Sequence, residues 1–216
     1  MDICARIMGL PSLPEPHMSI YRIAIVSAVL AMSTACSINR PVADDYDTYL
    51  GNNVRTSNLP NARIADKYYL PPATQTHHYE FKSVMGGYAN TWVVEFGKVL
   101  DATMRSADVV AALGSLSKAG TDKSSSGNTL VFELQRYTFE DHGAHIELAI
   151  SVRNTRGEVF RKVYSADGRT QGGKMFWGGA FAMKNAVQQS TKLAMDDILA
   201  RFIRDAGSAN IASTAK

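Results

Sequence analysis

Apolar residues in this chain follow two rhythms, and the points where each rhythm stops mark the elements. Residues 129–139, 145–153 and 158–165 are rich in β-branched and aromatic side chains and read as three consecutive strands. The middle one alternates most clearly. Ile146, Leu148, Ile150 and Val152 share one face, with His145, Glu147, Ser151 and Arg153 on the other, so one side of the sheet is expected to be dry. Glu140-Asp141-His142-Gly143 and Asn154-Thr155-Arg156-Gly157 are of hairpin length. Upstream, Tyr79-Glu80-Phe81-Lys82-Ser83-Val84 alternates as a further strand, which Gly86-Gly87 breaks.

Two other stretches step by three and four. Residues 91–107 place Trp92, Phe96, Val99, Leu100, Thr103 and Met104 on one stripe, with Asn90 as a cap, and so predict an amphipathic helix. Residues 180–204 do the same with Met183, Val187, Ala194, Ile198 and Phe202, and end with Arg201 and Arg204 at the negative end of the helix dipole. Residues 107–116 are read as a short strand and residues 118–128 as a loop. The order strand, helix, strands, helix predicts an α/β two-layer sandwich, with a mostly antiparallel sheet of about four strands and two amphipathic helices on one face. This single domain spans residues 77–205, and residues 206–216 form a polar tail.

The residues before position 77 follow neither rhythm. Ile23 to Met32 is an apolar run behind Tyr21-Arg22 and ahead of small residues, the shape of an export signal over residues 1–35. As a helix it would span about 15 Å, half of the ~30 Å hydrocarbon thickness, so it does not predict a permanent membrane span. Pro11, Pro14 and Pro16 make residues 1–17 an odd leader, and Met18 is read as the true start. Residues 37–76 carry Pro, Asn and Asp without a sustained period and are expected to be a tether, fully stretched to about 130 Å. Within it, Tyr46, Tyr49, Leu50, Tyr68, Tyr69 and Leu70 are large for a spacer, and are expected either to lie along the domain surface or to form a docking segment.

Ser33-Thr34-Ala35-Cys36 resembles the lipobox of bacterial lipoproteins, and that resemblance implies that Cys36 is acylated, with palmitate among its chains, and begins the mature protein. Ser33 stands where the pattern usually has Leu. Ser37, in place of Asp, implies by the same resemblance an outer-membrane, periplasm-facing location. The element order and anchored address together resemble the lipopolysaccharide-assembly lipoprotein, the auxiliary lipoproteins of ABC-type lipid transporters and the small relatives of the curli-secretion lipoprotein. They imply a non-enzymatic accessory subunit of an envelope transport, secretion or assembly complex, with a lipid- or glycan-binding module as the alternative.

Composition narrows the chemistry. The 216 residues are 45% hydrophobic and 20% charged, with two Cys and a net charge of +3. Loss of residues 1–35 removes Arg6, Arg22, Asp2 and Glu15, so the net charge is unchanged and no nucleic-acid partner is implied. Cys4 goes with the leader, which leaves Cys36 no intramolecular partner. Gly168-Arg169-Thr170-Gln171-Gly172-Gly173-Lys174 has P-loop glycines and lysine, but Met175 stands where magnesium binding needs Ser or Thr. His142 and His145, beside Glu140 and Asp141, straddle a turn and lack a third strong ligand; His77-His78 has no better company. No GxSxG, HExxH or paired CxxC occurs. The expectation is therefore no catalytic residue, no metal and no cofactor. Phe176 and Trp177, in a glycine-rich connection, are expected to contact a partner together with a sheet edge, or else to close over the core.

Overall fold

The computed structural model describes residues 37–53, 59–84, 89–124, 126–170 and 179–211, all within a unit spanning Ser37–Lys216. In chain order they form β1 (Ile38–Pro41), α1 (Tyr46–Asn52), β2 (Lys67–Tyr69), α2 (Pro72–Gln75), β3 (His78–Lys82), β4 (Asn90–Glu95), α3 (Phe96–Arg105) and α4 (Ala107–Leu113). There follow β5 (Ser117–Lys118), β6 (Thr129–Glu140), β7 (Gly143–Asn154), β8 (Gly157–Arg169) and α5 (Gly179–Ser208).

The three alternating runs are the long antiparallel strands β6, β7 and β8. The β6–β7 turn is Asp141-His142, with φ of 47° and 63°, the paired positive angles of a type I′ hairpin whose twist suits the flanking strands. His142→Gly is expected to raise stability by about 0.5–1 kcal/mol by removing the left-handed penalty of a side chain there, measured by urea unfolding. A register shift between Leu134 and Arg136 changes parity along β6. Leu130, Phe132 and Leu134 before it, and Tyr137 and Phe139 after it, consequently all face the interior beside Ile146, Leu148, Ile150 and Val152.

The sheets are larger and more mixed than one antiparallel four-stranded sheet. β5-β2-β6-β7-β8 is five-stranded, with β2 parallel to both β5 and β6. β1-β4-β3 is a separate three-stranded sheet, parallel on the β1 side and antiparallel on the β3 side. β2 and β5 have three and two residues, too short to carry a visible period.

The stretch expected to be a tether departs furthest. It supplies β1, α1, β2 and α2, and Val42, Tyr46, Leu50, Ile64, Tyr68 and Leu70 are buried in the main core. Of its six large side chains Tyr46, Leu50, Tyr68 and Leu70 are core, whereas Tyr49 and Tyr69 are only partly buried.

Two other expectations need correcting. Residues 90–95 are strand, and the helix begins only at Phe96. Thr91, Trp92, Val93 and Val94 are all buried because β4 is the middle strand of its sheet, and pairing on both edges overrides the 3–4 spacing that imitates a helix. Asn90 is accordingly the first residue of a strand, where its Oδ1 accepts from Arg40 Nε at 3.0 Å. Residues 107–113 are the helix α4, ended by Gly114 at φ 86°.

α5 buries the whole expected stripe of Met183, Val187, Ala194, Ile198 and Phe202, and continues to Ser208 with Ala206 buried, so the tail begins later than residue 206. Together with α3 it covers the inner face of the large sheet: Phe96 lies against Tyr137 (5.5 Å between ring centres), and Tyr164 lies edge-on to Phe202 (6.3 Å). The other side of α5 is also engaged, because Gln188 Nε2 donates to the Val42 carbonyl (3.0 Å) and to Asp45 (2.6 Å).

Candidate functional site

Three of the residues singled out from sequence, Cys36, Phe176 and Trp177, lie outside the described residues. Of the P-loop-like string only Gly168, Arg169 and Thr170 are described, and there Gly168 serves packing. A Cβ built on it would stand 1.7 Å from the Ser190 carbonyl oxygen of α5, so the glycine lets the last turns of β8 touch the helix backbone.

The histidines do not converge. His142 sits in the hairpin turn, whereas His145 Nδ1 is 2.7 Å from Asp167 Oδ1 on the neighbouring strand. His78 Nε2 meets Glu80 at 2.6 Å. His77 is turned edge-on to Phe96 and Tyr137, and burial, helped by the neighbouring His78, pushes its ring below the usual histidine range. Among the described residues no group of three His, Cys, Asp or Glu is placed to hold a metal ion.

The most buried ion pair among the described residues was not foreseen. The Lys192 ammonium, on α5, donates to Asp108 Oδ2 at 2.6 Å and to Asp196 at 2.9 Å, with the Lys192 and Asp108 side chains only 8% and 9% exposed. Ser106 Oγ and the Val109 N–H also donate to Asp108 Oδ1, at 2.5 and 3.1 Å. Burial pushes the Asp108 carboxyl up, but the hydrogen bonds from Lys192 and Ser106 and the ammonium charge outweigh it and hold the carboxyl below its ordinary range. Burial likewise pushes Lys192 down, and its two carboxylates hold it above its ordinary range. The amine is therefore protonated at neutral pH and has no lone pair for nucleophilic or base chemistry.

Lys192 forms part of the walls of two hollows. One, of about 300 Å³, is also lined by Tyr49, Asn53, Asn185, Gln189 and Asp196; the other, of about 180 Å³, includes Asp47, Leu50, Arg105 and Asp108. Lys192 and Asp196 obey the i,i+4 rule and could have been noticed as a helix pair. Asp108 lies 84 residues away from Lys192, and nothing local signals the third member.

The other feature of consequence is an edge. β8 is 13 residues long and borders the five-stranded sheet, and among the described residues no strand pairs with its far side. Its outer surface exposes Val159 and Val163 on either side of Arg161, which is 2.8 Å from Glu133 on β6. This leaves a long row of backbone donors and acceptors flanked by mixed charge and aliphatic side chains.

No family model matches this chain, and no curated protein matches it. Among solved structures, one neighbour is a crystal structure of a Xanthomonas campestris protein described with the family model DUF330. The two share 12% sequence identity over 69% of this chain and 92% of that one, with a TM-score of 0.44. A likeness that distant says nothing of what this chain does.

Proposed function

We propose that the protein is a non-enzymatic lipoprotein, held by acylated Cys36 on the periplasmic side of the outer membrane, that serves as an accessory subunit of an envelope transport, secretion or assembly complex. The observation that carries the docking role is the 13-residue strand β8 at the sheet edge. A partner strand added there would gain main-chain hydrogen bonds, with Val159, Val163 and Arg161 supplying side-chain selectivity. Phe176 and Trp177 are retained as further contacts within the same reading. The larger hollow beside Lys192 is lined mainly by polar side chains, Asn53, Asn185, Gln189, Lys192 and Asp196 among them, which does not favour a lipid-holding module there.

The test is a photoreactive residue at position 163 in whole cells, with one at Asp197 on α5 as control. The expected result is a discrete crosslink from β8 to one envelope protein and none from the helix. A ladder of unrelated products from both positions, or no product from position 163, would refute edge docking.

A further inference from the structure

α5 carries two stripes. One, Met183, Val187, Ala194, Ile198 and Phe202, is buried. The other steps along Asn185, Gln189, Leu193 and Asp196, and so runs about 16 Å down one side of the helix. A polar stripe ordinarily meets only water. Here α1 is held across from it: Asp45, just before α1, accepts from Gln188 Nε2 at 2.6 Å and from Lys184 Nζ at 2.8 Å. The larger hollow, of about 300 Å³, is the cleft with Tyr49 and Asn53 on the α1 side and this stripe on the other.

Most of the cleft wall is fixed by its own neighbours. The Tyr49 ring lies nearly parallel to that of the fully buried Tyr46 (5.8 Å, 15° between planes), and Asn53 Nδ2 donates to the Tyr49 carbonyl at 2.9 Å. Both Asp196 oxygens accept from the Lys192 ammonium at 2.9 Å. Together with the bond to Asp108, these contacts engage all three ammonium hydrogens, so Lys192 keeps no donor for an anion. Asp196 already faces an ammonium, so a cation gains little there. The two amides on α5 differ from the rest. Among the described residues neither the Asn185 nor the Gln189 side chain makes a hydrogen bond, and each presents two N–H donors and a carbonyl acceptor.

A ligand for such a wall is uncharged, donates and accepts side by side, and has an apolar face. Sugar rings have this chemistry: each hydroxyl both donates and accepts, as a carboxamide does, and the C–H faces suit Tyr49 and Leu193. We propose that the cleft between α1 and α5 binds a neutral saccharide of one or two rings, with Asn185 and Gln189 as its hydrogen-bonding arms and Asp196 as a fixed acceptor. About 300 Å³ is the small end of ordinary ligand sites, which sets the ring number. Because α1, Asp196 and Tyr49 are already held, binding orders little beyond two amide side chains. The site rests on neither the β8 edge nor the Cys36 anchor.

The test titrates the isotope-labelled full chain with three disaccharides of one linkage: cellobiose, N,N′-diacetylchitobiose, and the de-acetylated, cationic form of the latter. Side-chain amide signals of Asn185 and Gln189 are followed by NMR, with Asn128, whose amide donates to the Ile64 carbonyl, as control. Saturable shifts at positions 185 and 189, and none at 128, are expected in the millimolar range with at least one neutral sugar. Tighter binding of the diacetylated form would add the acetamido group to what is recognised; equal binding would limit recognition to ring and hydroxyls. Asn185→Ala, at an exposed position that leaves the fold untouched, should weaken binding about threefold or more, and Asn185→Ala with Gln189→Ala about tenfold or more. No saturable shift with either neutral sugar overturns the site. An affinity unchanged by Asn185→Ala and by the double substitution also overturns it. Saturation by the cationic form alone does so too, because the cleft then reads an ammonium group and not a sugar.

Discussion

Lys192→Met should lower unfolding stability by about 3 kcal/mol, the low end for breaking a buried ion pair, because the hollows beside Lys192 admit water. For a chain of this size that corresponds to a fall in melting temperature of roughly 6–12 °C. Methionine fills nearly the same volume, so the loss reports the buried Asp108 carboxylate left without its ammonium, with only Ser106 and the Val109 N–H still donating to it. The pH dependence separates this cause from lost packing. In the parent, Asp108 is held below its unfolded value, so its contribution is present above the unfolded pKa, near 4, and is lost as pH falls through the folded value. Lys192 is held above its unfolded value, so its contribution is fully present below about pH 10.4 and is lost as pH rises through the folded value. In the variant the desolvated Asp108 titrates high, and acid relieves it. The difference between parent and variant should therefore be largest near neutrality and should shrink as pH drops towards 4. A difference constant from pH 7 to pH 4 in urea titrations would show that the cluster contributes packing only.

Gly168→Ala should cost about 3 kcal/mol or more, at the upper end of overpacking, although it adds a single methyl group. The new carbon would fall 1.7 Å from the Ser190 carbonyl oxygen, 2.6 Å from its carbon and 3.0 Å from the Ala194 nitrogen. All three are helix backbone atoms, so no side chain can swing aside and α5 itself must lift from β8. Gly207→Ala is the control, since nothing lies within 4 Å of that position near the end of the same helix, and it should stabilise by up to about 1 kcal/mol through helix propensity. Thermal unfolding of the pair checks both signs. Should Gly168→Ala melt with the parent, the close approach of β8 to α5 is wrong.

The same glycine illustrates how sequence can mislead about a site. Gly168 belongs to a string that imitates a phosphate-binding loop, and only the helix lying on it reveals what its missing side chain is for. Lys192 was equally unreadable. Its i,i+4 neighbour Asp196 is visible, but the carboxylate that makes the pair a buried clamp comes from α4, in a stretch whose local pattern suggested a strand. His142 and His145 were legible as a turn and a strand start without a third ligand, but that the second ring meets Asp167 depends on β8 lying beside β7.

By itself the sequence determined what repeats over many residues. Period-2 alternation over 129–165 produces β6, β7 and β8 with their short turns, and the 3–4 stripe over 180–204 produces α5, because ten or more residues each contribute the same preference. Tertiary structure alone decided what depends on distant partners. β4 is a strand because β1 and β3 pair with both its edges, and β2 is a strand because Thr129–Val131 lies beside it. The supposed tether is core because isolated tyrosines and leucines there meet α3, α5 and the sheet. A period averages a preference along the chain, whereas a three-residue strand or a buried ion pair takes its free energy from contacts dozens of residues away, and those leave no local trace.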